Sequence, residues 1–280
     1  MGHYIHNRLL LLIVRPLYYN LLAALISSGP PEIYMSHFVM RVPRLFTSHS
    51  LACGQFLELE EAASHYLGKV LRMQPGRELV LFNGQGGEYQ AQITGISKKQ
   101  VTVAVGEFSA DDRQSPLQLE LAIGVSRGER MDWVLQKATE LGVTHITPLL
   151  TERTEVKLAG DRQDKKLQHW QQILISACEQ CQRNILPLLS EPRSLNDWLT
   201  SVSAQHKFVL HHRDSRGLSD DENVSSVALL IGPEGGLSDQ EIEQARAKEF
   251  APLTLGPRVL RTETAPIAAI SLVQYRWGDL

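Results

Sequence analysis

Two glycine-rich stretches near the C-terminus carry the residues best suited to holding a small molecule. The first is Gly232-Pro233-Glu234-Gly235-Gly236 and the second runs from Leu255-Gly256 to Arg261-Thr262-Glu263-Thr264. Glycines at such places let backbone N–H and C=O groups approach a flat ligand closely enough to hydrogen-bond it. Leu230, Ile231, Leu255 and Leu260 would supply apolar walls. That combination suits an adenine-like ring better than a triphosphate. The common alternatives are missing from the letters. No GxxxxGK[ST] occurs, no GxGxxG follows the first strand of the second domain, and neither HExxH nor GxSxG is present.

Both loops sit between a short apolar run and a helix start. Val227 to Ile231 precedes the first, and Ser238 with Glu241 three residues later forms a capping box after it. Leu253 to Leu255 precedes the second, and Pro266 falls in the first turn of the helix that follows, where a missing N–H costs nothing. Two strand–loop–helix units in tandem place a cleft above the strand C-termini.

Upstream, strands and helices alternate. The pattern gives a strand over 119–125, an amphipathic helix over 131–141 stopped by Gly142, and a strand over 143–150. A long helix over 165–182, a short one over 195–199 and a strand over 207–211 follow. This predicts an α/β domain with a mostly parallel sheet. Residues 40–110 read differently. A helix with Ala62, Tyr66, Leu67 and Val70 on its apolar side is followed by alternating runs separated by Gly-rich turns, which predicts a small antiparallel barrel or sheet. Asp111 to Pro116 is a polar linker. The expected division is therefore a leader at 1–39, a first domain at 40–110 and a second at 117–280.

The leader LLLLIVRPLYYNLLAALI is interrupted by Arg15-Pro16 and reaches no membrane-spanning length on either side. It also lacks a clean signal-peptidase site. A misassigned start, with translation from Met35 or Met40, is the favoured reading. Cys178 and Cys181 form a CxxC, but no second pair or His spacing completes a zinc set, so they are read as helix cysteines in a reducing compartment. The chain's formal net charge is −3, yet 41–105 holds seven Lys/Arg against five Asp/Glu. A local basic surface is compatible with that balance.

LLIGPEGGLSDQEIE and LGPRVLRTETA resemble the signature segments of the SPOUT superfamily of S-adenosylmethionine-dependent RNA methyltransferases. More narrowly, they resemble the RsmE family, and MRVPRLF, HYLGKVLRM, LFNGQGGEY, SRGERMDWVLQKATELGV and ACEQCQRN extend the similarity over 40–280. The resemblance implies a PUA-like β-barrel that binds RNA, followed by an α/β domain closed by a trefoil knot. It implies a cytoplasmic homodimer, without metal or membrane, that methylates N3 of a uridine in 16S ribosomal RNA within the small ribosomal subunit. The cofactor S-adenosyl-L-methionine is carried over to Leu230, Ile231, Gly232, Pro233, Glu234, Gly235, Gly236, Leu255, Gly256, Leu260, Arg261, Thr262, Glu263 and Thr264.

Methylating uracil N3 expels an imide proton and spreads negative charge onto O2 and O4, which nearby cations would stabilise. Arg258 and Arg261 are the candidates for that role, and Glu263 is the candidate base. RNA contacts are assigned to Arg41, Arg44, Lys69 and Arg72 in the first domain, and to Arg127, Lys137, Arg153 and Arg183 in the second. For Lys137, an ion pair with Glu140 is the plain alternative. Two other functions fit the same letters: a SPOUT enzyme acting on a ribose 2′-hydroxyl of transfer RNA, and a non-catalytic RNA-binding or assembly protein.

Overall fold

A computed structural model describes residues 42–210, 218 and 221–280. The expectations placed on 1–39, on Arg41 and on His211 lie outside the described residues.

The first sheet has five strands, Arg44–Phe46 (β1), Phe56–Glu58 (β2), Glu78–Phe82 (β3), Glu88–Ile96 (β4) and Val101–Ser109 (β5), in the order β1-β3-β4-β5-β2. Three of its pairings are antiparallel, but β1 and β3 run parallel. The chain between those two strands includes β2 and a helix, enough to return β3 in the same direction. Leu79, Leu81, Ala91, Ile93, Val101, Val103 and Val105 form the core of this unit.

The helix preceding β3 departs from its expected face. Glu61–His65 (α1) is α-helical, and Tyr66–Val70 then makes a π turn, with the Leu71 N–H donating to the Tyr66 carbonyl at 2.9 Å. The wider turn breaks the 3.6 period. Tyr66 and Val70 are 42% and 58% exposed, whereas Leu67 is buried. Ser64 is buried beside it because its hydroxyl donates to Leu59 O and accepts from Val101 N–H. A periodicity count of apolar residues passes over such a satisfied serine.

The second unit is a sheet in which every pairing is parallel. Gln118–Gly124 (β6), His145–Leu150 (β7), Leu188–Leu189 (β8), Arg193–Ser194 (β9), His206–Leu210 (β10), Ser226–Ile231 (β11) and Ala251–Leu253 (β12) follow the order β12-β10-β11-β6-β7-β8, with β9 also on β7. Its helices are Glu129–Glu140 (α2), Asp161–Cys181 (α3), Leu195–Ser201 (α4), Asp239–Ala247 (α5) and Thr264–Trp277 (α6). Both faces are covered. Val227, Leu229 and Ile231 join one core with α2, α3 and α6, while Ala228 and Leu230 join a second with α4 and α5. This two-sided burial is what parallel strands require. The last strand lies two residues earlier than the 253–255 expected from the letters.

The capping box at α5 is present: Ser238 Oγ accepts from Glu241 N–H, and Glu241 Oε2 accepts from Ser238 N–H. Glu241 Oε1 also accepts the Glu152 N–H at 2.8 Å, so the cap ties the loop after β7 to the loop after β11. Replacing Ser238 with alanine is expected to cost about 1 kcal/mol, read as a lower urea midpoint at unchanged slope.

The two sheets are joined by a buried polar clamp. Arg44 donates to Glu88 at 2.5 Å, to the Arg183 carbonyl at 3.2 Å and to Asn184 Oδ1, and its guanidinium stacks 4.3 Å over Phe82. Asn184 Nδ2 closes the ring onto Glu88 and the Asp111 carbonyl. Arg183 donates to the carbonyls of Thr139 and Val143 and to Gln114 Oε1. Burial lowers the pKa of both arginines, against the opposing pull of Glu88 on Arg44 and of Cys178 and Cys181 on Arg183. Arg44 and Arg183 are therefore interior joints and not the RNA contacts expected from their charge. Cys178 and Cys181 lie in the last turn of α3 as free thiols, and no cluster of metal-ligating side chains occurs among the described residues. No helix among them is long and apolar enough to cross a membrane.

Candidate functional site

The loops after β11 and β12 meet over a cavity of about 300 Å³ at the C-terminal end of the parallel sheet. From the first loop, Ile231, Gly232, Pro233, Glu234, Gly235 and Gly236 line it. Leu255, Gly256, Arg258, Val259, Leu260 and Thr262 do so from the second. Leu210, Leu253, Thr254 and Ala265 complete the wall. The cavity thus forms at the edge where parallel sheets take ligands.

The glycines shape it in different ways. A Cβ at Gly232 would sit 2.7 Å from the backbone of Gly236 and Leu237, so the loop folds back on itself only with glycine there. Gly124 on β6 plays the same part beneath, since a Cβ would collide with Pro233 at 2.4 Å. Gly236 and Gly256 differ. Their φ values are +68° and +83°, and beyond the adjoining residues no protein atom lies within 4 Å of a Cβ built on either. Both glycines line the cavity, and their backbone is open to its surroundings.

Leu230 does not line the cavity. Successive residues of a strand face opposite sides, so Ile231 turns toward the cavity while Leu230, fully buried, packs with Trp198 and Phe250 on the other face. Thr264 is the first residue of α6, and Arg261 accepts the N–H groups of Thr264 and Ala265 through its carbonyl. Neither side chain lines the cavity. Arg258 does, and it is exposed, as is Arg261.

Glu263 lies just before α6 and outside the cavity wall, with its carboxylate 3.9 Å from Arg130 Nε. Arg130, which the sequence reading passed over, also donates to Glu234 at 3.1 Å. It therefore bridges the two loops. Glu234 further accepts the Arg127 backbone N–H at 2.9 Å. Burial alone would raise the Glu234 carboxyl, but backbone N–H donors, that of Arg127 foremost, and Arg130 overturn this and hold it below the ordinary carboxylate value.

The remaining candidate contacts separate clearly. Arg153 donates to the carbonyls of Gly235 and Leu237 at 2.8 and 3.2 Å, so its guanidinium supports the first loop from outside. Lys137 is held by Glu140 at 2.7 Å, the pair expected from their spacing. Arg127 is exposed and paired with Glu155 at 2.5 Å. Lys69 and Arg72 are exposed on the first unit, close to Lys98 and Lys99 in the case of Lys69.

Comparison with known proteins gives a consistent picture. An RNA methyltransferase domain family matches residues 113–274, and an RNA methyltransferase PUA domain family matches 59–106. Ribosomal RNA small subunit methyltransferase E of Buchnera aphidicola subsp. Schizaphis graminum is 36% identical over 242 residues, which is 86% of this chain and 98% of that protein. A Legionella pneumophila protein described as a methyltransferase, solved with bound SAM, is 45% identical with a TM-score of 0.83, over 86% of this chain and all of that one. The small subunit methyltransferase E of Neisseria gonorrhoeae, solved with S-adenosyl methionine, is 36% identical with a TM-score of 0.80, over 85% of this chain and 99% of that one.

Proposed function

Because the chain belongs to the ribosomal RNA small subunit methyltransferase E family, we propose that it transfers a methyl group from S-adenosyl-L-methionine to N3 of a uridine in 16S ribosomal RNA. The observation that carries this reading is the cavity between the two glycine loops, where Gly236 and Gly256 leave bare backbone facing open space. An adenine ring fits such a place, and Ile231, Leu255 and Leu260 give it apolar walls. When bound, S-adenosylmethionine supplies an electrophilic methyl group. The loops' task is to hold that group in line with the target nitrogen, and positioning of this kind accounts for much of a transfer rate.

Arg258 is the cation we assign to the developing uracil anion. It reaches the cavity wall, is exposed to an incoming base, and has no acidic side chain within ion-pair distance among the described residues. Arg261 flanks the same loop and is the second candidate. Glu263 and Arg130 are better suited to positioning, since they brace the second loop against the first. We also assign a trefoil knot to the C-terminal segment and a PUA-like barrel to the five-stranded unit. A second copy would cover α6, where Leu272 and Tyr275 are 45% and 77% exposed and Val259, at 82%, stands beside the cavity. That arrangement would close the site with its partner subunit.

Reverse transcription tests the reading. N3 of uridine lies on the Watson–Crick edge, so methylation there blocks pairing. After incubation of the protein with cofactor and unmodified small subunits, extension should stop beside one uridine. Read-through at every uridine, with cofactor bound and turned over, would exclude N3 as the target. Within the same reading, Gly232→Ala should weaken S-adenosylmethionine binding at least tenfold by calorimetry, because the Cβ meets backbone that cannot swing aside.

A further inference from the structure

A second groove lies beside the cavity between the two glycine loops, not within it. It measures about 730 Å³ and runs between the start of α2, the segment 155–158 and the first turns of α3. Arg127, Lys157, Arg162, Lys165 and Lys166 line it, against the single carboxylate of Glu155. This concentration of positive charge stands out on a chain whose formal net charge is −3.

The five cations are not equivalent. Lys166 and His169 are held by Asp132 at 3.1 and 2.7 Å and form a fixed wall. Arg127 and Glu155 make an exposed pair, which costs little to exchange for another anion. Lys157, Arg162 and Lys165 are exposed, and among the described residues none of them has an acidic side chain within ion-pair distance. Three such cations along one groove make a poor protein interior and a good seat for an anionic strand.

The groove is also tied to the site of chemistry. The Arg127 backbone N–H is bonded to Glu234, which lines the cofactor cavity, so one residue separates the two spaces. Building on the RNA methylation reading above, we propose that this groove carries the phosphodiester backbone of single-stranded RNA flanking the target nucleotide. Lys157, Arg162 and Lys165 would neutralise successive phosphates while the base turns toward the cavity. Phosphate contacts of this kind set register and carry no base preference.

The test is the triple variant Lys157→Ala, Arg162→Ala, Lys165→Ala in the full chain, with binding to a labelled single-stranded RNA fragment measured across a salt series. Each neutralised phosphate contributes about 0.7 to the slope of log affinity against log salt. The slope should fall by about 2, and affinity at low salt should drop at least tenfold. S-adenosylmethionine affinity should stay unchanged. An unchanged slope and RNA affinity would overturn the proposal, as would a variant that loses cofactor binding, because the three side chains would then be structural. Binding is read without methylation, so a wild-type protein that modifies some other position leaves this test in force.

Discussion

The Arg258→Ala variant is expected to lose about 100-fold to 1,000-fold in turnover, with cofactor and RNA affinities unchanged within a few-fold. Removing one donor aimed at a developing oxyanion has an effect of that size. Arg258 is placed for it: the residue lines the cavity wall and no carboxylate competes for its guanidinium among the described residues. Single-turnover kinetics at saturating cofactor and RNA isolates the step. Arg258→Lys should recover part of the loss, because charge is kept while the planar fork is not. Full turnover in Arg258→Ala would pass the role to Arg261, which flanks the same loop.

The Arg44→Ala variant is expected to lower folding stability by about 3 kcal/mol, measured by urea unfolding. Breaking a buried ion pair from one side leaves an uncompensated charge, at a cost of about 3–5 kcal/mol. The low end applies because Arg113 also faces Glu88, at 3.6 Å, and retains some of the compensation. The side chains of Arg44 and Glu88 are 9% and 12% exposed, so water relieves little of it. Replacing both residues with apolar ones of similar volume should restore much of the stability. A surface RNA contact would behave in the opposite way, with weaker RNA binding at unchanged stability. The two outcomes separate a joint from a contact.

Much of the fold was legible in the sequence because its signals are local. The capping box at Ser238, Gly142 after the helix and the alternation of apolar runs all lie within a few residues of what they specify. The tandem glycine loops likewise announced a cleft, and the cavity forms between them. What escaped depends on partners distant in the chain. Arg44 and Arg183 look like surface cations until β1, β4 and the segment after α3 are brought together, 139 residues apart in the sequence. Arg130 looks ordinary until it spans Glu234 and Glu263. Leu230 is a different case, since strand alternation turns Leu230 and Ile231 to opposite faces and needs no distant partner to do so. The π turn after α1 has no such signature, since its extra residue shifts a period that the apolar pattern alone cannot re-phase.

Delivery of a methyl group from the two-loop cavity to uracil N3 is the step on which the proposed function stands. Its most direct test is to incubate the purified protein with methyl-labelled S-adenosylmethionine and unmodified small ribosomal subunits, then digest the RNA to nucleosides. Label is expected in 3-methyluridine, appearing about 100-fold to 1,000-fold more slowly in Arg258→Ala. Label in a ribose-methylated nucleoside would contradict it, leaving the cofactor site intact and the target wrong.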